Sequence, residues 1–435
     1  MKAFFIIIVI SIIANMFFSM SLFACSVFCI DKKGDLVVGH SYDWYFTKGY
    51  FMVNKRGQDK KAFYYWGEDQ VNLARWTSKY GSITENQYGR DIAYGGMNEA
   101  GLVVYEQWLS ETVYPSPDER AHVSVDQYVQ YMLDNFATID EVIACDTSIR
   151  IRGLQSGFTT IHFFAADASG NCVIIDFLNG SAVYHSYESA PVKAMTNNTY
   201  QTSITLYEQA SCNNRFYRIA ERLENYENVD TEAVSYAFEI LDNVRMGHTL
   251  FQTVYDIKNR KVYAKSVSAG TSLRYFDFDA FDFSCKSNSK VLDINTPLTN
   301  DVTNAFIDYT TELNEELIIE AWANLGFTNV AAGPLHLISW YPETFICNEE
   351  FASIEVDECP EIKIYLTPSN NTLQIEHPGL AQKEASYEII DLNGKIVQQD
   401  KLTGNTIEVS KLIKGTYLLN LNVESEVKVE KFVLR

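Results

Sequence analysis

Two short apolar runs, from Ser26 to Ile30 and from Asp35 to His40, flank the turn Asp31-Lys32-Lys33-Gly34, with glycine where a positive φ closes a hairpin. The design recurs at 91–109 (DIAYGGMNEAGLVVYEQWL), with two apolar runs around NEAG, and at 253–266 (TVYDIKNRKVYAKS). FTTIHFFAAD, NCVIIDFL and GSAVYHSY add further strands. Helical spacing lies between and after them. Ser124 is placed to cap a helix through Val125, Tyr128, Val129, Met132, Leu133 and Phe136, and Thr138 to cap a short one through Ile143. Residues 201–228 and TELNEELIIEAWANLG read as helices too. Long runs of strands with helices between and after them predict an α+β unit of packed sheets with helices outside.

The run from Phe4 to Ala24 is almost unbroken hydrocarbon, with Lys2 as its only charge. That is the pattern of a secretory signal peptide over residues 1–24, cleaved after the small Ala24. The run is also long enough to span a bilayer as an uncleaved anchor. What remains exceeds one core, so two domains are expected, over 25–355 and 361–435. From about Glu361 the style changes to alternating strands, with YEIIDLNGKIVQQ a hairpin about Asn393-Gly394, and a small all-β sandwich is predicted there.

Formal charge is −21, spread along the chain, and such a surface repels phosphate backbones, so nucleic acid is excluded as a partner. The eight cysteines form no CxxC pair and no zinc-like cluster with histidine, so neither metal nor cofactor is expected. In an exported chain some of them pair, and Cys347 with Cys359 is the nearest candidate.

Cys25 is the residue on which function turns. Released by cleavage after Ala24, it carries a thiol and a free α-amine together. The amine has a pKa near ~8 and acts as a base, and the thiol is the side chain most easily activated as a nucleophile. The structural alternative is the first core residue of a strand. Cys29 shares its strand face and reads as packing.

Four separated motifs over roughly 25–300 resemble the choloylglycine hydrolase family, which includes bile salt hydrolases and penicillin V acylases among the N-terminal-nucleophile hydrolases. CSVFCI…GHSYDWY matches a leading cysteine and an acid after the first hairpin, here Cys25 and Asp43. GGMNEAGLVV (95–104) matches the Met-Asn-Glu-x-Gly-Leu turn. MTNNTY (195–200) matches Thr-Asn-x-Pro, with Asn197 in the oxyanion position, and NRFYR (214–218) places Arg215 at the active-site arginine. The resemblance implies a four-layer αββα fold and a secreted or cell-surface hydrolase of linear amides. Cys25 would attack, Asp43 would hold the amine, Asn197 would meet the developing oxyanion and Arg215 would brace the site. It also allows a homo-oligomer.

Two positions depart from the family's best-known branches. His40 stands where arginine is expected three residues before the aspartate, and Trp108 where bile salt and penicillin enzymes carry Asn or Tyr. Both are read as lining the substrate site, His40 with a pH-dependent charge and Trp108 through its ring and backbone N–H. Tyr42, Trp44, Tyr45 and Phe46 either line an acyl pocket or belong to the core.

The C-terminal DLNGKIV…KGTYLLNLNV…KFVLR resembles the sorting domain of type IX secretion substrates, which implies recognition by the export machinery. Two other readings stand beside the hydrolase. LFAC (22–25) loosely matches a lipobox, which would make the chain a surface lipoprotein or binding module acylated at Cys25. A member of the same fold without catalysis is the other.

Overall fold

The computed structural model describes residues 24–64, 71–154, 159–209, 214–228, 230–325 and 338–348, together with the C-terminal segments 363–366, 372–376, 385–391, 395–402, 404–423 and 426–434. The expected signal peptide before Ala24, the Asn393-Gly394 turn, Cys212 and Cys359 lie outside the described residues. The chain divides into two units, Met1–Ser353 and Ile354–Arg435.

Two large sheets form the body of the larger unit, beside a two-stranded and a three-stranded one among the described residues. The first holds seven strands in the order Ala194–Met195, β1 (Ser26–Lys32), β2 (Asp35–Asp43), Thr249–Asp256, Lys261–Ser266, Arg274–Asp277 and Asn300–Asp301. The second holds nine: Ser181–Ser186, Cys172–Leu178, Ile161–Ala166, Val103–Trp108, Ala93–Asn98, Ser82–Asn86, Tyr50–Asn54, Lys290–Asp293 and Ile307–Asp308. One core fills the space between them, joining Val27, Cys29 and Val38 of the first sheet to Ile83, Tyr105 and Phe164 of the second. The helices Arg215–Asn225 and Ala233–Val244 cover the first sheet, and Tyr128–Asn135 covers the second over its own core of Val104, Val129, Met132 and Phe163. This is the α+β four-layer αββα arrangement.

Close approach fixes some glycines. A Cβ at Gly39 would run into the Phe28 ring on the paired strand, and one at Gly95 into the Tyr105 ring. Gly101 closes the NEAG turn at φ +81°, which only glycine adopts without strain.

Two local expectations need revision. Ser124 ends the strand Ala121–Ser124 and its side chain caps nothing; a single 3₁₀ turn, Val125–Gln127, precedes the α-helix. The tertiary strand pairing with Ile149–Arg152 uses Ser124 as sheet and overrides its cap propensity. Thr138, by contrast, forms a full capping box with Glu141. Cys347 pairs with Cys285, not with Cys359, at a Cα separation of 5.5 Å. The short strand Ile346–Cys347 adds to Gln58–Lys61 in the larger unit, which carries Cys347 to a partner 62 residues away in sequence.

Among its described residues the C-terminal unit is all β, with a three-stranded and a four-stranded sheet around Leu373, Ile389, Val409, Leu419 and Leu421. Its longest paired strands, Gly415–Val423 with the edge strand Glu426–Leu434, form the strongly alternating segment of the sequence.

Candidate active site

Cys25 lies immediately before β1, and Asp43 ends β2. The β1–β2 hairpin register, with Ser26 opposite Ser41, returns the chain so that residue 43 comes back beside residue 25. The Asp43 backbone N–H donates to Cys25 Sγ at 3.4 Å, and the thiol faces the Asp43 carbonyl at 3.8 Å. Burial pushes the Cys25 thiol up to about 12, and the nearby Asp43 carboxylate adds to the rise, while the Asp43 N–H and the Arg215 charge oppose it. At neutral pH this sulfur holds its proton, so an ionised thiolate is not its resting form.

The Asp43 carboxylate is fully buried. Its Oδ1 accepts from Ser41 Oγ at 3.2 Å and from Thr249 Oγ1, the latter on the strand paired with β2. Its Oδ2 has no hydrogen-bond partner. Burial raises its pKa, against the opposing pull of Thr249 and Arg215.

Arg215 opens the helix Arg215–Asn225, whose N-cap is Asn214. Its Nη1 donates to the carbonyls of Ala24 and Cys25 and to Ser26 Oγ at 2.8 Å, while Nη2 donates to Asn197 Oδ1 at 2.9 Å. One fork thus ties residues 24–26 to Asn197. Because Arg215 takes its oxygen, the Asn197 amide is turned so that Nδ2 donates to the Trp108 carbonyl at 2.8 Å. Asn197 sits just ahead of the helix Tyr200–Glu208, which Thr199 caps. Burial depresses the Arg215 guanidinium, and Asp43 and Cys25 pull it back up.

Cys25, Asp43, Asn197, Arg215 and the backbone of Trp108 therefore come together from four separated segments. His40 does not join them through any hydrogen bond. It is buried in an aromatic stack, 3.9 Å from the Tyr105 ring centroid and flanked by Tyr42 and Tyr94, and neither ring nitrogen has a hydrogen-bond partner. Burial holds its pKa down at about 3, so it is neutral across the physiological range. The Trp108 ring packs at the edge of the second sheet's outer core. The aromatic run divides: Tyr42 stacks on Tyr94 at 4.1 Å, Phe46 is buried, Trp44 donates to Tyr88 Oη at 2.6 Å, and Tyr45 is exposed.

Sequence reading missed Ser26, Ser41 and Thr249. Only the pairing of β2 with a strand some two hundred residues on brings Thr249 to Asp43, and no local pattern signals it. It also missed Glu85, fully buried, which accepts hydrogen bonds from Tyr94, Tyr105, Thr253 and Tyr255 across both sheets. Among the described residues, no group of three or more His, Cys, Asp or Glu could hold a metal ion.

Residues 25–212 match the family model described as linear amide C–N hydrolases, choloylglycine hydrolase family. Residues 363–435 match the secretion system C-terminal sorting domain. Over 155 residues the chain is 34% identical to the penicillin V acylase of Pectobacterium atrosepticum, covering 32% of this chain and 40% of that relative's length. Among solved structures, the penicillin V acylase of Agrobacterium tumefaciens superposes with a TM-score of 0.57 at 25% identity, over 66% of this chain and 98% of the other. A variant of the conjugated bile acid hydrolase of Clostridium perfringens superposes with a TM-score of 0.52 at 15% identity, over 63% and 98%, and that likeness concerns the fold.

Proposed function

We propose, starting from the match of residues 25–212 to the choloylglycine hydrolase family of linear amide C–N hydrolases, that this chain is an exported amidase whose nucleophile is Cys25. The sorting domain marks it for the cell surface or for secretion, and the export machinery is the partner that would read it. Removal of residues 1–24 exposes the α-amine of Cys25.

The observation that carries the reading is the unpartnered, buried Oδ2 of Asp43 beside residue 25. A buried carboxylate oxygen without a donor is costly. An α-amine released on Cys25 supplies that donor. The amine then takes the thiol proton as sulfur attacks the substrate carbonyl, which answers the problem of a thiol that burial keeps protonated. Negative charge develops on the carbonyl oxygen. The second N–H of Asn197 Nδ2 meets it, the first being spent on Trp108, and the backbone N–H of Trp108 is the second donor. The leaving amine takes the proton from the α-ammonium, and the C–N bond breaks to leave a thioester on Cys25. Water, deprotonated by the same amine, releases the acid. Arg215 holds Asn197 and the Cys25 carbonyl in place throughout.

Acylated small molecules of the penicillin V, bile salt or N-acyl amide type are the substrate class this chemistry fits. The test takes the matured protein and its Cys25→Ala variant over a panel of penicillin V, a conjugated bile salt, N-acyl homoserine lactones and N-acyl amino acids. Wild type hydrolyses at least one of them and the variant none; equal rates would remove Cys25 from the mechanism. The intact mass of the mature N-terminus serves alongside, because an acylated Cys25 has no basic amine and would overturn the scheme.

A further inference from the structure

Four residues along β1 from the candidate nucleophile, Cys29 faces a second cysteine. Cys172 opens the strand Cys172–Leu178 of the other sheet, and both thiols are buried in the core between the sheets. Several independent contacts hold these two strand ends together. The Cys29 N–H donates to the Lys193 carbonyl at 2.9 Å. Lys193 Nζ bridges Asp31 Oδ2 on β1 and the carbonyl of Gly170, in the turn before Cys172, at 2.7 Å each. Gly170, at φ +84°, lies so close to Asp31 that a Cβ there would meet its carboxylate. The Cys172 sulfur sits 3.8 Å from the Gly170 carbonyl and within hydrogen-bonding reach of the Cys29 thiol.

Burial pushes the Cys172 thiol well above its usual value, and the Lys193 charge opposes that rise. A cleft of about 120 Å³, lined by Cys29, Asp31, Lys193 and Glu224 among others, lies beside the pair, whose two thiols are themselves buried.

We infer that Cys29 and Cys172 are an oxidisable pair that closes into a disulfide in the export compartment, joining β1 to the second sheet. The oxidant is a small-molecule or protein disulfide of that compartment. The Cys29 thiolate attacks one of its sulfurs, forming a mixed disulfide and releasing one thiol. The Cys172 thiolate then attacks Cys29 Sγ, which expels the second thiol. Two electrons and two protons pass to the oxidant, which leaves as two thiols. The bridge removes Cys29 from competition with Cys25, its neighbour on the same strand. It also anchors β1, on which the position of residue 25 depends. The inference does not rest on the amidase reading, since neither sulfur takes part in that scheme.

The test uses the full chain recovered after export and equilibrated in a glutathione buffer set to an export compartment's redox poise. The sample is acid-quenched, alkylated in denaturant and mapped without reduction. The expected result is a single cross-linked pair of peptides holding nine-tenths or more of Cys29 and Cys172. The Cys285–Cys347 bridge in the same digest reports that oxidation was complete. Alkyl label on both Cys29 and Cys172 while that bridge is intact would overturn the inference, as would Cys29 joined to Cys25. A second measurement compares the wild type with Cys172→Ser. In the oxidising buffer the variant's Tm falls roughly 5–10 °C below wild type, the scale expected for losing a long-range bridge, and the gap closes with reductant. An unchanged Tm, or a gap indifferent to reductant, overturns the bridge. Should the variant not fold, the wild-type map decides alone.

Discussion

Asp43 and Glu85 are both carboxylates fully shut off from solvent, and both have a pKa raised by burial, yet their surroundings differ in kind. Glu85 is saturated: four hydroxyls from two sheets converge on its two oxygens. Asp43 is half-finished, with two hydroxyls on Oδ1 and nothing on Oδ2. A saturated buried acid is a tie between layers, because every lone pair is spent on holding the fold. An unsaturated one, placed beside a thiol and an arginine, keeps capacity for a group that arrives later. The same contrast separates the fold from the chemistry in this chain.

The sharpest break in that comparison is Asp43→Asn. It keeps the size of the side chain and the Ser41 and Thr249 contacts but removes the charge that would hold an α-ammonium. The expected loss in kcat is about 10³- to 10⁴-fold, or roughly 4–5 kcal/mol, with urea stability changed by less than about 1 kcal/mol. Single-turnover kinetics beside an unfolding curve checks both. A variant with near-normal kcat would make Asp43 a structural acid like Glu85.

Glu85→Leu is the converse. Four buried hydroxyls lose their acceptor, and stability should fall by about 3 kcal/mol, while kcat of the folded fraction stays within about threefold. Urea denaturation and active-site-normalised rates separate the two. The pH dependence carries a sign as well. Because the folded pKa of Glu85 is raised, its contribution is fully present below its unfolded value near 4.5 and is lost as pH rises through the folded pKa. Glu85→Gln removes that slope.

His40 lies beside this tie, in register opposite Thr253 and stacked on Tyr105, and its pH behaviour has the opposite sense. Its folded pKa is held at about 3 against 6.5 unfolded. The unfolded chain therefore binds the extra proton first, and stability is lost as pH falls from 6.5 towards 3. At about 1.4 kcal/mol per pH unit, as much as 3 kcal/mol is lost by pH 4. His40→Phe keeps the stack and cannot titrate, so the drop in urea stability between pH 7 and pH 4 should shrink by about 2–3 kcal/mol. An unaltered drop would mean that His40 is protonated within the fold. It would then return to the list of charged groups near the substrate.

How much of this was legible in the sequence follows the range of the interactions. The hairpins at 26–40 and 91–109 read directly, since their signals are a period of two and a turn a few residues long. Separated motifs point to Cys25, Asp43, Asn197 and Arg215, and the fold brings all four together. Their connecting hydrogen bonds were not legible. Thr249 reaches Asp43 only through strand pairing across the chain, and Glu85 sits in the unremarkable string SITEN, whose burial comes from a second sheet packed over it. The mispairing of Cys347 has the same origin: nearness in sequence stood in for nearness in space, and the strand addition that moves Cys347 has no local signature. His40 was read by analogy with an arginine, but its strand position and aromatic neighbours put it in the core.

Arg215 allows the finest test, because it joins the two classes of group, holding structure with the same fork that carries charge towards the thiol. Arg215→Lys keeps a positive charge near Cys25 but cannot donate at once to the Cys25 carbonyl, Ser26 and Asn197. Arg215→Gln loses the charge as well. If positioning of the Asn197 amide is the main contribution, the lysine variant loses about tenfold in kcat, near 1.4 kcal/mol, and glutamine falls only slightly further. If the charge matters through the thiol, the two variants diverge. Because Arg215 opposes the rise in the Cys25 pKa, its loss as Gln moves the rising limb of the kcat/KM profile to higher pH, while Lys leaves that limb in place. Equal kcat losses with an unmoved limb would make Arg215 a positioning residue acting through Asn197. A limb displaced in the glutamine variant alone would place it among the groups that tune the nucleophile.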